Sequence, residues 1–216
     1  LVKDIRPGSS SSQLNSIRQL GTSSSFVFVA NDGSSGAELW ISDGTEAGTQ
    51  LLEDIRPGSS GSLDRLMAAV GNLVYFEAND GNRGREIWKT DGTTAGTDLV
   101  AQLAAGNAGI SISDWQALPA VGKLVFSISS GADRDAPWVT DGTFAGTKKL
   151  PEVRSDGGDA LIAPFSLVVD GFTYFGARDT AGAPRELYRT NGTLVSRASG
   201  IEPLFGKDAY GALGDV

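Results

Sequence analysis

Carboxylates set in glycine-rich stretches are the residues whose type and spacing point most directly to chemistry. Asn31-Asp32-Gly33 is followed by Glu38, and Asn79-Asp80-Gly81 by Glu86, while Asp43 and Asp91 each open a further Asp-Gly-Thr turn. Flexible loops rich in oxygen are what Ca²⁺ takes as ligands, at about six to eight oxygens per ion. The spacing is not that of an EF-hand. Asn-Asp-Gly supplies about two side-chain ligands, so backbone carbonyls and water would have to complete the shell. The same residues also fit a second reading, in which each Asp accepts N–H groups of its own turn and Gly supplies a positive φ. Both readings stand at this level, with Asp32 and Asp80 the candidate calcium ligands.

Other chemistries are narrowed by composition. The 216 residues contain no Cys and no His, which removes Ser-His-Asp triads, thiolate nucleophiles, disulfides and His-ligated metals. With 18 basic and 26 acidic side chains the net charge is -8, and no basic patch offsets it, so nucleic acid is not an expected partner. Glycoside hydrolysis needs two carboxylates with divergent pKa values across a cleft, and no such pair stands out. The Arg residues scatter over the chain instead of clustering as a carboxylate-binding site requires. The most apolar stretch, 160–177, is interrupted by Asp170 and Gly171, so membrane insertion is not expected. The chain begins without Met inside a pattern, as a piece of something longer would.

These residues sit in a repeat. Glu38-Leu39-Trp40-Ile41-Ser42-Asp43-Gly44-Thr45-Glu46-Ala47-Gly48-Thr49 returns at Glu86–Thr97, at Trp138–Thr147 and, in part, at Glu186–Thr193. The aromatic positions Trp40, Trp88, Trp138 and Tyr188 recur at intervals of 48, 50 and 50 residues, and the acceptor positions Asp43, Asp91, Asp141 and Asn191 follow them. A second element, Leu1–Ser10, recurs at Leu51–Ser60 and decays afterwards. The units run near 1–50, 51–98, 99–149 and 150–199, with a partial fifth at 200–216.

The motif resembles that of the bacterial ELWxxDGT repeat family, long secreted or surface-associated proteins built from many such units. The resemblance covers nearly the whole chain. It implies an extracellular or cell-surface location and a β-rich repeat architecture, and it brings no catalytic residues. Ala136-Pro137 stands where Glu-Leu is expected and Asn191 where Asp is expected, which argues against chemistry shared by all copies.

Within the second unit, Leu66–Val70 and Leu73–Ala78 read as two strands around the turn Gly71-Asn72; Arg85–Thr90 and Thr97–Val100 follow as two more. Four strands per unit of about 48–50 residues is the arithmetic of a propeller blade. The expected fold is therefore all-β, tandem four-stranded blades forming a β-propeller or part of one. A portion of a larger ring is favoured over four closed blades, because residues 1–5 and 200–205 occupy the same place in the repeat. Short helical turns are the alternative reading at Ser9–Leu20 and Ser111–Leu118.

An aromatic at one blade position in every unit is what repeated packing between blades requires, and a platform for sugar rings is the rival role. Trp115 lies off the repeat and is the candidate exposed aromatic for ligand binding. The expected function is a non-enzymatic extracellular scaffold or adhesion module that binds a glycan or a protein partner through blade loops. Two alternatives are a polysaccharide-acting hydrolase or lyase with its site at the propeller axis, and a structural subunit of a larger surface assembly.

Overall fold

A computed structural model describes residues 1–63, 65–128, 136–150, 167–177 and 186–198. The partial fifth repeat at 200–216 lies outside them. The fold is all-β: four antiparallel sheets of four strands each, every sheet a simple meander in chain order. The first sheet holds β1 (Asn15–Gln19), β2 (Phe26–Asn31), β3 (Ala37–Ser42) and β4 (Gln50–Glu53). The second holds β5 (Leu66–Val70), β6 (Leu73–Asn79), β7 (Arg85–Thr90) and β8 (Asp98–Ala101). The third holds β9 (Ile112–Leu118), β10 (Lys123–Ile128), β11 (Pro137–Thr140) and β12 (Lys148–Lys149). The fourth holds β13 (Leu167–Val169), β14 (Phe172–Ala177), β15 (Glu186–Thr190) and β16 (Val195–Arg197).

The hairpin expected around Gly71-Asn72 forms with Val70 opposite Leu73. The Ser111–Leu118 segment is strand, not helix. It pairs along its length with β10, from Lys123 opposite Leu118 to Ser127 opposite Asp114, and a single 3₁₀ turn at Pro119–Val121 is its sequel. Residues 15–19 of the other candidate helical stretch are likewise strand. In both places the partner strand satisfies the backbone across the sheet, which local propensity alone does not reveal.

Antiparallel order fixes the two ends of each sheet. The turns β1–β2 and β3–β4, with their counterparts, lie at one end, here the motif end. The β2–β3 loops and the crossovers to the next sheet lie at the other.

Successive sheets bury apolar faces against one another. Between the first and second sheets lie Val27, Val29, Leu39, Ile55, Leu63, Leu66, Val74 and Phe76, with Trp88 packed against them. Between the second and third lie Met67, Tyr75, Ile87, Ile112, Leu124 and Phe126, with Trp138. Phe175 and Tyr188 of the fourth sheet share a cluster with Val125 and Val139 of the third. Ile55 stands in the crossover after β4 and Ile110 in the one after β8, so these two crossovers are themselves part of the joints they span. Ile5, ahead of β1, takes the corresponding place beside Phe28, Ala30 and Trp40.

Candidate functional site

The motif turn accounts for its own letters. In the second unit the Asp91 carboxylate accepts the Thr93 N–H at 2.9 Å and the Thr93 hydroxyl at 2.7 Å. Thr93 Oγ1 then accepts the Gly96 N–H at 2.9 Å, and Thr97 Oγ1 donates back to the Thr93 carbonyl at 2.8 Å. Thr90 Oγ1 lies 2.7 Å from Thr97 Oγ1 and accepts the Gly92 N–H at 3.0 Å. Asp43 and Asp141 repeat this network with Thr45 and Thr143. In the fourth unit Asn191 Oδ1 accepts the N–H groups of Thr193 and Leu194 at 3.1 and 3.2 Å. The acceptor is kept there while the charge is lost, so the turn needs an oxygen and not an anion.

Gly follows the acceptor because φ is +90° at Gly44 and Gly92 and +88° at Gly142, where a side chain is strained. The later Gly is required by space: a Cβ at Gly96 would stand 2.0 Å from Asp91 Oδ1. Hydrogen bonds from the Thr93 hydroxyl and N–H hold the Asp91 carboxyl below its ordinary range, and the Thr143 pair does the same for Asp141.

The candidate calcium loops lie at the opposite end. Asp32 Oδ1 accepts the N–H groups of Ser34 and Ser35, both at 2.8 Å, and Ser35 Oγ donates to Oδ2. Asp80 Oδ1 accepts from Asn82 and Arg83 N–H at 2.8 and 2.9 Å, and Oδ2 pairs with the Arg83 guanidinium. Partial burial raises both carboxyls, but the N–H donors outweigh it and leave each lowered. This is Asx-turn geometry. Glu38 and Glu86 do not join these loops, and among the described residues no group of three or more acidic side chains is placed to hold a metal.

Glu38 and Glu86 serve the crossovers instead. Glu38 is fully buried; its carboxylate accepts the Ile55 N–H at 3.2 Å, the Ser62 N–H at 2.9 Å and the Ser62 hydroxyl at 2.5 Å. Burial pushes its pKa up to about 7 against the pull of these donors, and the nearby Asp54 charge adds to the rise. Glu86 accepts the N–H groups of Leu103 and Ala104 at 2.8 and 3.1 Å, and burial raises it too. The sequence placed these glutamates near candidate metal loops and missed this role, because the partners lie in the next crossover. Glu77 was missed as well. It is buried, accepts the Ile112 N–H at 2.8 Å, and pairs with Arg65 at 3.6 Å.

Trp88, Trp138 and Tyr188 each lie in the cluster shared with the preceding sheet, and Trp40 packs beside Ile5 ahead of β1. Trp138 stacks on Phe126 with centroids 6.4 Å apart and Tyr188 on Phe175 at 6.2 Å. Trp40 and Tyr188 are buried and Trp88 and Trp138 half-buried. Trp115 is half-buried in β9, not an open platform. Its indole N–H donates to the Met67 carbonyl at 3.1 Å and the Arg65 guanidinium lies 4.6 Å over its ring, so it seams the second sheet to the third.

Two features at the motif end face solvent. One is a row of exposed residues at the position after the motif Thr, different in every unit: Glu46, Phe144 and Leu194, and Thr94, whose hydroxyl donates to the Leu52 carbonyl at 3.0 Å. Phe144 is 77% exposed and Leu194 64%. The other is a groove of about 590 Å³ between the first two sheets, lined by Leu20, Thr22, Ser25, Ile41, Asn72 and Asp91 among others. Its counterparts at the next two joints are filled by lysines. Lys89 Nζ donates to the Gly142 carbonyl at 2.6 Å, and Lys123 Nζ donates to the Gly192 carbonyl at 3.1 Å and to Thr193 Oγ1 at 2.9 Å. The aligned residues of the first unit are Ile41 and Ser25, and neither supplies a cation.

No family model matches the sequence, and no curated protein matches it. A solved chain from a structural and mechanistic study of two prolyl endopeptidases is similar over 89% of this chain, at 14% identity and a TM-score of 0.48. The present chain spans 28% of that protein's length. Among the described residues no helix is long and apolar enough to cross a membrane.

Proposed function

We propose that this chain is a non-enzymatic extracellular scaffold or adhesion module of the ELWxxDGT kind, part of a β-propeller, which binds a glycan or a protein partner at its motif end. One observation carries the reading. The repeated polar side chains are occupied by their own frame, whereas the exposed position beside them changes in every unit, from Glu46 to Phe144 and Leu194, with Thr94 alone bonded back to the Leu52 carbonyl. A constant frame that presents one variable side chain per blade is how a repeat protein builds a recognition surface. The unfilled groove beside Asp91 extends that surface with hydroxyls over an apolar floor of Leu20 and Ile41.

The test is a glycan array and a protein-partner screen run beside a reducing-sugar release assay. Binding without turnover is expected, and Phe144→Ala/Leu194→Ala weakens it while leaving the melting temperature unchanged. Turnover of any polymer would replace this reading with that of a polysaccharide-acting enzyme.

A further inference from the structure

The groove between the first two sheets is a joint with one part missing, and its counterparts show what belongs there. At the second joint Lys89 crosses to the Gly142 carbonyl at 2.6 Å, and at the third Lys123 crosses to the Gly192 carbonyl at 3.1 Å. Two different strand positions supply these ammonium groups, yet both arrive at the same atom of the motif turn. At the first joint the corresponding residues are Ile41 and Ser25, and among the described residues no donor reaches the Gly92 carbonyl.

The acceptor itself is in place. φ is +90° at Gly92 and +88° at Gly142, and the Asp91 turn carries the same hydrogen bonds as the Asp141 turn. The Gly92 carbonyl is therefore presented to the first sheet as the Gly142 carbonyl is to the second. Gly142 and Gly192 are buried beside their lysines, whereas Gly92 is half-exposed. The aliphatic lining is in place too. A Cβ at Gly142 would meet Leu73 and the Lys89 stem, one at Gly192 the Lys123 stem and Val139, and one at Gly92 Leu20 and Ile41. Each of the three joints lays alkyl carbon over the motif Gly, and the first lacks the ammonium beyond it. Asp91 lines the groove as well. Its Oδ1 is spent on Thr93, Lys89 of its own sheet is spent on Gly142, and no described Lys or Arg lines the groove.

We infer that this groove receives a lysine side chain of a partner protein, its stem over Leu20 and Ile41 and its ammonium shared between the Gly92 carbonyl and the Asp91 carboxylate. The inference rests on the proposed binding at the motif end and deepens it, selecting the protein partner over the glycan. Lysine carries a compact ammonium on an aliphatic stem, which is what a carbonyl and a carboxylate beyond an apolar floor accommodate. An amino sugar carries its ammonium on a ring edged with hydroxyls, which Leu20 and Ile41 would leave without partners. The net charge of -8 favours a basic partner at longer range. At about 590 Å³ the groove has the size of a small-ligand pocket, so the lysine enters with part of the backbone that carries it.

Amide NMR shifts of the full chain, titrated with Nα-acetyl-lysine methylamide to roughly 50 mM, test the groove directly, since a lone side chain binds in the millimolar range. Saturable shifts at Leu20, Ile41 and Gly92 are expected, and none there from the Nε-acetylated analogue. Ile41→Lys and Ser25→Lys, which install the residue of sister positions 89 and 123, should each abolish them. Asp91→Asn, a change the fourth turn already carries at Asn191, should weaken binding by about threefold or more, and it carries the test if neither lysine variant folds. Absence of saturable shifts at these amides, equal shifts with the acetylated analogue, or shifts that the folded variants all retain overturn the inference. Equal binding of glucosamine overturns it too, by giving the groove to an amino sugar. A protein partner whose binding Ile41→Lys leaves unchanged overturns the inference while the proposed function stands. Probe binding by a chain that captures neither partner nor glycan supports the groove and removes the proposed function instead.

Discussion

The first two sheets and the third solve the same joint differently. After β4 and β8 the crossover is gripped by a buried carboxylate, Glu38 or Glu86, which gathers two N–H groups and, at Glu38, a hydroxyl as well. In the third sheet the aligned residue is Ala136, buried with only a methyl to offer. The fourth keeps the acid as Glu186, but there it pairs at 2.6 Å with Arg197 of the neighbouring strand. The Asp-Gly-Thr network meanwhile survives in the first three, and in the fourth Asn191 keeps only the acceptor for the Thr193 and Leu194 N–H groups and Thr190 the bond to the Gly192 N–H. The motif is thus two devices joined in sequence, one closing a hairpin and one holding a crossover, and they diverge independently because they satisfy different backbones.

Removing the grip should break this contrast most visibly. Glu38→Ala takes the acceptor from the Ile55 N–H and the Ser62 hydroxyl, while the Ser62 N–H keeps the Ala37 carbonyl at 3.1 Å, and should cost about 2 kcal/mol, a fall in melting temperature of roughly 4–8 °C. Glu186→Ala, whose ion pair is about half exposed, should cost about 0.5 kcal/mol or less. Thermal melts of the two variants check the order, and equal losses would mean that the crossover grip is not the source of the difference.

A pH series sharpens the comparison between the two devices. Glu38 is raised in the folded chain from an ordinary 4.5 to about 7, so its stabilising contribution is complete below 4.5 and is lost as pH climbs through 7. The turn aspartates are lowered, so theirs is present above their ordinary pKa and fades as pH falls. Stability should therefore decline on both sides of a mildly acidic maximum. Glu38→Gln should flatten the slope between about pH 5 and 8 and leave the acid limb intact. An unchanged neutral slope in that variant would point to another group.

The smallest effect is expected from calcium. Asp32 and Asp80 each spend one carboxylate oxygen on two N–H groups of their own turn, so melting in EDTA and in about 5 mM CaCl₂ should shift wild type and Asp32→Asn/Asp80→Asn alike. A shift present in wild type and missing in the double variant would make these loops calcium sites.

How much of this was legible follows the range of the interactions. The strands at 66–78 and 85–100, the motif hairpin and the inward aromatics could be read because alternation, turn residues and period are local or repeated signals. Glu38 could not, since its partners lie 17 and 24 residues ahead. Trp115 looked free because it breaks the repeat, yet its indole N–H is taken by Met67, 48 residues back. Residues 15–19 and 111–118 were ambiguous for the same reason: their strand state is conferred by β2 and β10. The lysine caps escaped notice because two different positions, 89 and 123, fill one role.

The crossover grip has a consequence for how the chain is made. As it emerges from the ribosome, the first sheet can close its hairpins as soon as residue 53 is available, but Glu38 stays without its Ser62 donors until residue 62 has followed. The second sheet waits in the same way for Leu103 and Ala104. Each of these units is finished by the opening residues of the one behind it, so order spreads from the amino-terminal side with one joint always outstanding. Ala136 of the third unit has no such partner to wait for, and Glu186 finds Arg197 within its own hairpin.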